Sequence, residues 1–120
     1  MSDKPAALIV EDDVLQRELI AALLEENMSV FQCESGEAAE LILGHIGGVL
    51  CFLFTDNNLS GPMTGVELAT IAKRRFPGLR VIITSGGRVP ALPTGTSFMK
   101  KPWKPLELLR EVEAVCGKVT

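Results

Sequence analysis

Two stretches of this sequence are apolar at consecutive positions over the length of a buried strand: AALIV at Ala6–Val10 and VLCFLF at Val49–Phe54. A third, RVIITS at Arg80–Ser85, is β-branched and apolar through its middle. A strand with one wet face alternates apolar and polar residues; a strand covered on both faces does not. Runs of this kind call for a parallel sheet with helices packed on each side. The second run also ends in a carboxylate, Asp56, although an ionised side chain is costly to bury alone. Asp56 either opens a turn at the surface or is held at the strand's carboxyl end for chemistry.

The intervening segments read as helices and short strands. Asp13 can cap a helix through Glu26, with Val14, Leu19, Ala22 and Leu23 on roughly one face. Val30–Cys33 is a brief second strand. Ser35 can cap a helix from about Glu37 to His45, ended by Gly44, Gly47 and Gly48. Val49–Thr55 is the third strand. Thr64 and Glu67 have capping-box spacing and open a helix reaching about Phe76, before Pro77-Gly78. After Arg80–Ser85 comes a fifth strand, Thr96–Lys100, and Pro105 starts a last helix to about Cys116, closed by Gly117. The order predicts one α/β domain over residues 1–120, a doubly wound five-stranded parallel sheet with helices on both faces. In such sheets ligands bind outside the carboxyl ends of the strands, where strand order reverses.

Composition excludes several classes. With 47% hydrophobic residues, 22% charged residues and a net charge of -3, the chain is neither disordered nor a basic nucleic-acid binder. No apolar run approaches the roughly 18–20 residues of a membrane span, and three acids directly follow the N-terminal apolar segment, unlike a signal peptide. Cys33, Cys51 and Cys116 are widely spaced without a CxxC pair; they read as reduced, mostly buried thiols of a cytoplasmic protein. His45 reads as a surface residue near a helix end.

Polar residues gather at the predicted strand ends. Glu11, Asp12 and Asp13 follow the first strand, Asp56 the third, Ser85 the fourth and Lys101 the fifth. Taken singly, the acids could cap helices and Asp56 could begin a turn. Together they put carboxylates, a hydroxyl and an ammonium on one rim. Carboxylates so crowded suit a hard cation such as Mg²⁺, which keeps room for waters and phosphate oxygens. The ammonium and hydroxyl suit a phosphoryl group, and an aspartate there can serve as nucleophile and form an acyl phosphate.

LIVEDD, LFTDNNLSGPMTGVEL, VIITSG and FMKKPW together resemble the receiver domain of two-component response regulators, of single-domain or hybrid-kinase type, over essentially all of the chain. The resemblance implies the flavodoxin-like receiver fold and phosphorylation at Asp56. It implies Mg²⁺ held by Asp12 and Asp56 directly, by Glu11 through water and by the Asn58 backbone carbonyl. Ser85, followed by the small Gly86, takes the switch hydroxyl in preference to Thr84, and Lys101 rather than Lys100 takes the phosphate contact. The Lys101-Pro102 bond is cis in this family. Phe98 matches the aromatic whose rotation accompanies activation; alternatively it is a core residue of a short strand.

The chain departs from the family pattern in two places. Ser60 stands where proline is usual, in a loop one residue longer than the common form. The span SGGRVPALPTGTSFMK, Ser85–Lys100, is about two helical turns short and rich in glycine and proline, so the helix between the fourth and fifth strands is expected to be shortened or absent. An irregular, mobile loop over residues 86–95, ordered further by phosphorylation, is the expectation. Trp103 either serves partner binding or packs over the last helix. The resemblance implies a cytoplasmic phosphorelay receiver charged by a histidine kinase or histidine phosphotransfer protein, switching an interaction surface towards a downstream protein. It implies no direct nucleic-acid or membrane binding and no catalysis beyond its own phosphorylation and dephosphorylation. Two rivals are a receiver-like interaction module acting without phosphorylation and a metal-dependent phosphatase. Such phosphatases typically carry an acid two residues past the nucleophile, where this chain has Asn58.

Overall fold

The computed structural model describes residues 4–88 and 91–117. Its strands are β1 (Ala6–Val10), β2 (Ser29–Cys33), β3 (Leu50–Asp56), β4 (Arg80–Ser85) and β5 (Thr96–Lys100), and its helices are α1 (Val14–Leu24), α2 (Gly36–Ile46), α3 (Gly65–Arg75) and α4 (Pro105–Cys116). All strand pairs are parallel, in the order β2-β1-β3-β4-β5. This is the doubly wound flavodoxin-like receiver fold, with no helix among the described residues between β4 and β5. Residues 89 and 90 of that expected loop lie outside the described residues. Strand order reverses between β1 and β3, so the carboxyl ends of these two strands flank the crevice.

The continuous apolar runs are explained by two cores, one on each sheet face. Leu8, Val10, Leu53, Val81 and Ile83 face one way, against Ala39 and Leu43 of α2 and Leu68, Ala69 and Ala72 of α3. Their neighbours Ala7, Ile9, Phe52, Phe54 and Ile82 face the other way, against Ile20 and Leu24 of α1 and Leu108 and Val112 of α4. Successive side chains of a strand point to opposite faces, so a strand buried on both must be apolar throughout.

The predicted caps form. Asp13 accepts from the Gln16 amide, Ser35 from the Ala38 amide, and Thr64 with Glu67 makes both bonds of a capping box. Three expectations need correction. α1 ends at Leu24, short of Glu26, because the chain must turn there to bury Met28. α1 also packs through Ile20, Ala21 and Leu24, whereas Val14 and Leu19 are exposed; the helix is apolar on nearly every side, so periodicity could not choose its face. Finally, Cys51 and Cys116 are not reduced thiols but form a disulfide, with Cα atoms 6.1 Å apart. The start of β3 and the end of α4 meet across the second core, a proximity that a separation of 65 residues conceals. Cys33 is free and half-buried, and burial pushes its thiol up to about 11. His45 is exposed in the last turn of α2, as expected. Among the described residues no helix is long and apolar enough to cross a membrane.

Candidate functional site

Each functional side chain is set in place by a strand that ends beneath it. β1 delivers Glu11, which is buried, and then the half-buried Asp12. The β1 ladder continues one step further, since the Glu11 amide donates to the Cys33 carbonyl. Arg17 of α1 reaches back to donate to the Glu11 carbonyl at 2.8 Å. β3 delivers Asp56, only 6% exposed. Its backbone is fixed against β4: Asp56 lies beside Thr84 in the β3–β4 register, and the Asn57 amide donates to the Thr84 carbonyl. Asn57 in turn anchors α3, its side chain accepting from the Val66 amide and its carbonyl from the Gly65 amide.

Charges meet directly on this rim. One oxygen each of Glu11, Asp12 and Asp56 lies within 4.8 Å of the others. Lys101 Nζ stands 3.1 Å from Asp56 Oδ2 and 3.4 Å from Glu11 Oε1. The Asn58 amide donates to Asp56 Oδ1 at 3.3 Å. Lys100, one residue earlier on β5, is exposed and does not join the cluster, as the alternation of strand side chains requires. Ser85 is buried at the end of β4; its hydroxyl accepts from the Gly87 amide and its carbonyl from the Lys101 amide. Phe98 is half-buried on β5 beside Ile83, against the first core. The Lys101-Pro102 bond is cis.

The electrostatics follow from this crowding. Burial, with the nearby charge of Asp56, raises the Glu11 pKa from 4.5 to about 7, against the opposing Asp13 amide and Lys101 charge. Asp12 is held below the usual carboxylate range, first by a hydrogen bond from Ser60. Burial opposes the charge of Lys101, but its hydrogen bond and attraction to Asp56, helped by Glu11, outweigh that and raise its pKa. A site holding three carboxylates against one ammonium, with a buried glutamate reluctant to ionise, is short of positive charge. Its donors are all hard oxygens, the set that suits Mg²⁺ rather than a softer metal.

Several contacts here had no counterpart in the sequence reading. Ser60 Oγ donates to Asp12 Oδ2 at 2.7 Å across 48 residues, which no local pattern announces. Trp103 Nε1 donates to Thr84 Oγ1 at 3.1 Å, and its ring meets Phe54 edge-on at 5.9 Å. Thr84 thus faces the second core, away from its neighbour Ser85, and Trp103 has a packing role. Gly65 had a readable signal, a glycine directly after a helix cap. A side chain there would collide with the Asp56 carbonyl oxygen.

Comparison with known proteins agrees with this geometry. The family model described as response regulator receiver domain matches residues 7–113. A response regulator receiver protein from Sinorhizobium medicae WSM419 superposes with TM-score 0.86 at 18% identity, covering 98% of each chain. A CheY-like receiver domain protein from Methanospirillum hungatei JF-1 does so with TM-score 0.85 at 23% identity, covering 93% of each. The receiver domain of the hybrid histidine kinase CckA is 27% identical, with TM-score 0.82, covering 92% of this chain and 98% of that one.

Proposed function

Because this chain belongs to the response regulator receiver domain family, we propose that its Asp56 accepts a phosphoryl group from a phosphohistidine and that the charged form switches a protein-binding surface. The observation that carries this reading is the Lys101 ammonium lodged between Asp56 and Glu11, with Asp12 alongside. In the transfer, an Asp56 carboxylate oxygen attacks phosphorus, an acyl phosphate forms, the phosphorus–nitrogen bond breaks, and the imidazole leaves with its electron pair and takes up a proton. Lys101 and the Ser85 hydroxyl are the groups we assign to the phosphoryl oxygens, and the Asn58 amide steadies the attacking carboxylate. Glu11, Asp12, Asp56 and the Asn58 carbonyl would hold Mg²⁺, which when bound neutralises phosphoryl charge. Dephosphorylation is the attack of water on the same phosphorus, returning the carboxylate and inorganic phosphate.

The donor is proposed to be a histidine kinase or histidine phosphotransfer protein. Val14, Leu15 and Leu19 on α1, 50%, 79% and 54% exposed, offer an apolar surface beside the rim on which a protein donor could seat. Ser85 and Phe98 are the proposed switch residues, at the two ends of the connection from β4 to β5, which carries no helix among the described residues. We place the protein in the cytoplasm on the strength of this chemistry; the Cys51–Cys116 disulfide is the observation that pulls the other way.

Intact-mass measurement after incubation with acetyl phosphate tests the reading. The expected result is one added phosphoryl group, dependent on Mg²⁺ and absent in Asp56→Asn. Equal labelling of Asp56→Asn would overturn the site. No labelling of the native chain would favour an interaction module acting without phosphate. Sustained turnover of a generic phosphate ester would favour a phosphatase.

A further inference from the structure

The three carboxylates of the rim are not held alike. Glu11 is buried and Asp56 nearly so, and Lys101 bonds to both. Asp12 is half-exposed in the turn between β1 and α1, where packing alone does not choose its rotamer. Its Oδ2 instead takes a hydrogen bond from the Ser60 hydroxyl at 2.7 Å, a length typical of a charge-assisted bond. Ser60 sits in the loop leaving Asp56. That loop is pinned at its start by the Asn58 amide on Asp56 and at its end by the Gly65 amide on the Asn57 carbonyl. Just after Ser60 the chain turns back at Gly61, whose φ of 88° a side chain would strain. The hydroxyl is therefore offered from a fixed loop and is not a free surface group.

We propose that Ser60 is a positioning residue for the cation site: it orients the Asp12 carboxylate towards Glu11 and Asp56 and so sets the affinity for Mg²⁺. The inference rests on the Mg²⁺-dependent reading above and adds to it a residue outside the ligand set. A carboxylate has about four lone-pair positions, so Asp12 can keep the Ser60 bond and still offer an oxygen to a cation. A proline at this position could make no such bond, because it has no hydroxyl to donate.

Amide chemical shifts of Asp12, Asp56 and Asn58 followed against MgCl₂, without phosphodonor, test the proposal. Loss of a partner that orients a metal ligand typically weakens metal binding about 10–100-fold. For a half-exposed ligand the lower end applies, about tenfold. Ser60→Ala and Ser60→Pro both lack the hydroxyl and should each weaken Mg²⁺ binding to about that extent, while Ser60→Thr keeps native affinity. Thermal unfolding without Mg²⁺ should show Ser60→Ala folded with only a small loss, because the residue is exposed and its bond to Asp12 is all that is removed. Native or tighter affinity in Ser60→Ala would overturn the proposal, the tighter case showing that the hydroxyl competes with the cation. A native chain without any Mg²⁺ response would instead overturn the metal reading itself, and the role of Ser60 with it.

Discussion

Strands β3 and β4 are joined through α3, and β4 and β5 through residues 86–95, which carry no helix among the described residues. Both connections leave the same rim, one just past Asp56 and the other at Ser85, yet they are held by different forces. α3 is fixed by a capping box, by three fully buried residues (Leu68, Ala69 and Ala72) and by contact of Gly65 with the Asp56 backbone. The second connection is held by half-buried Leu92, by the Gly87 amide on the Ser85 hydroxyl, and by Thr96, whose amide and hydroxyl both donate to the Pro93 carbonyl. The strand it leads into buries Met99 and rests Phe98 on the first core, and just beyond its end Lys101 is tied by ion pairs to Asp56 and Glu11. The nucleophile's side of the crevice is rigid, and the side of the hydroxyl and the lysine is lightly tied. A switch needs an element of low local stability, so any response to a phosphoryl group should run through the second side.

The largest test of this contrast is stability. Leu68→Ala deletes a fully buried side chain between α3 and the sheet and should cost about 2–5 kcal/mol. Leu92→Ala removes a side chain that is only half-buried and should cost about 1 kcal/mol or less. Urea unfolding of the two variants against the native chain measures both. Equal losses would mean that residues 86–95 are built into the core as firmly as a helix.

The rim gives a second test, through pH. The folded-state pKa of Glu11 is about 7, above its ordinary 4.5. Between these values the folded protein holds a proton that the unfolded chain has released, so stability falls as pH rises from about 4.5 to about 7 and then levels off. Unopposed, a shift of that size corresponds to on the order of 3 kcal/mol. In Mg²⁺-free buffer, Glu11→Gln should gain stability relative to the native chain across this window, and Mg²⁺ should shrink the difference. Leu68→Ala, on the rigid side, should shift the whole pH profile without changing its slope. A Glu11→Gln profile parallel to the native one would show that the strain does not reside on Glu11.

What could be read in advance follows the range of each interaction. Strands β1, β3 and β4 were legible because burial on both faces leaves a local mark, an unbroken apolar run. The caps at Asp13, Ser35 and Thr64 were legible because partners three residues apart are adjacent in sequence. The want of a helix among the described residues between β4 and β5 was announced by Gly86, Gly87 and Pro93. By contrast, the packing face of α1 was hidden because that helix is apolar almost all round. The Cys51–Cys116 bond and the reach of Ser60 to Asp12 were hidden because only the assembled sheet brings those residues together. The acidic rim lies between these cases. Its members are far apart in sequence, but each follows a strand, so the fold's own rule about carboxyl ends gathered them.

The smallest expected effect comes from a matched pair of glycines, one on each connection. A Cβ at Gly65 would strike the Asp56 carbonyl oxygen and approach the Asn57 Cα at 2.8 Å. Both atoms are backbone, held by β3 and by the Asn57 bonds to α3, so neither can move without dragging the nucleophile. Gly65→Ala should therefore cost about 1–3 kcal/mol as an overpacking change, although alanine is the better helix former. It should also slow phosphoryl uptake by shifting Asp56. A Cβ at Gly86 would meet only the Lys101 Cβ at 3.7 Å, an ordinary contact, and its φ is not positive. Gly86→Ala should leave stability within about 0.5 kcal/mol. Urea unfolding and the acetyl phosphate assay, run on both variants, decide the point. If Gly65→Ala were neutral in both, α3 would have room to slide, and Asp56 would belong to the movable side of the crevice after all.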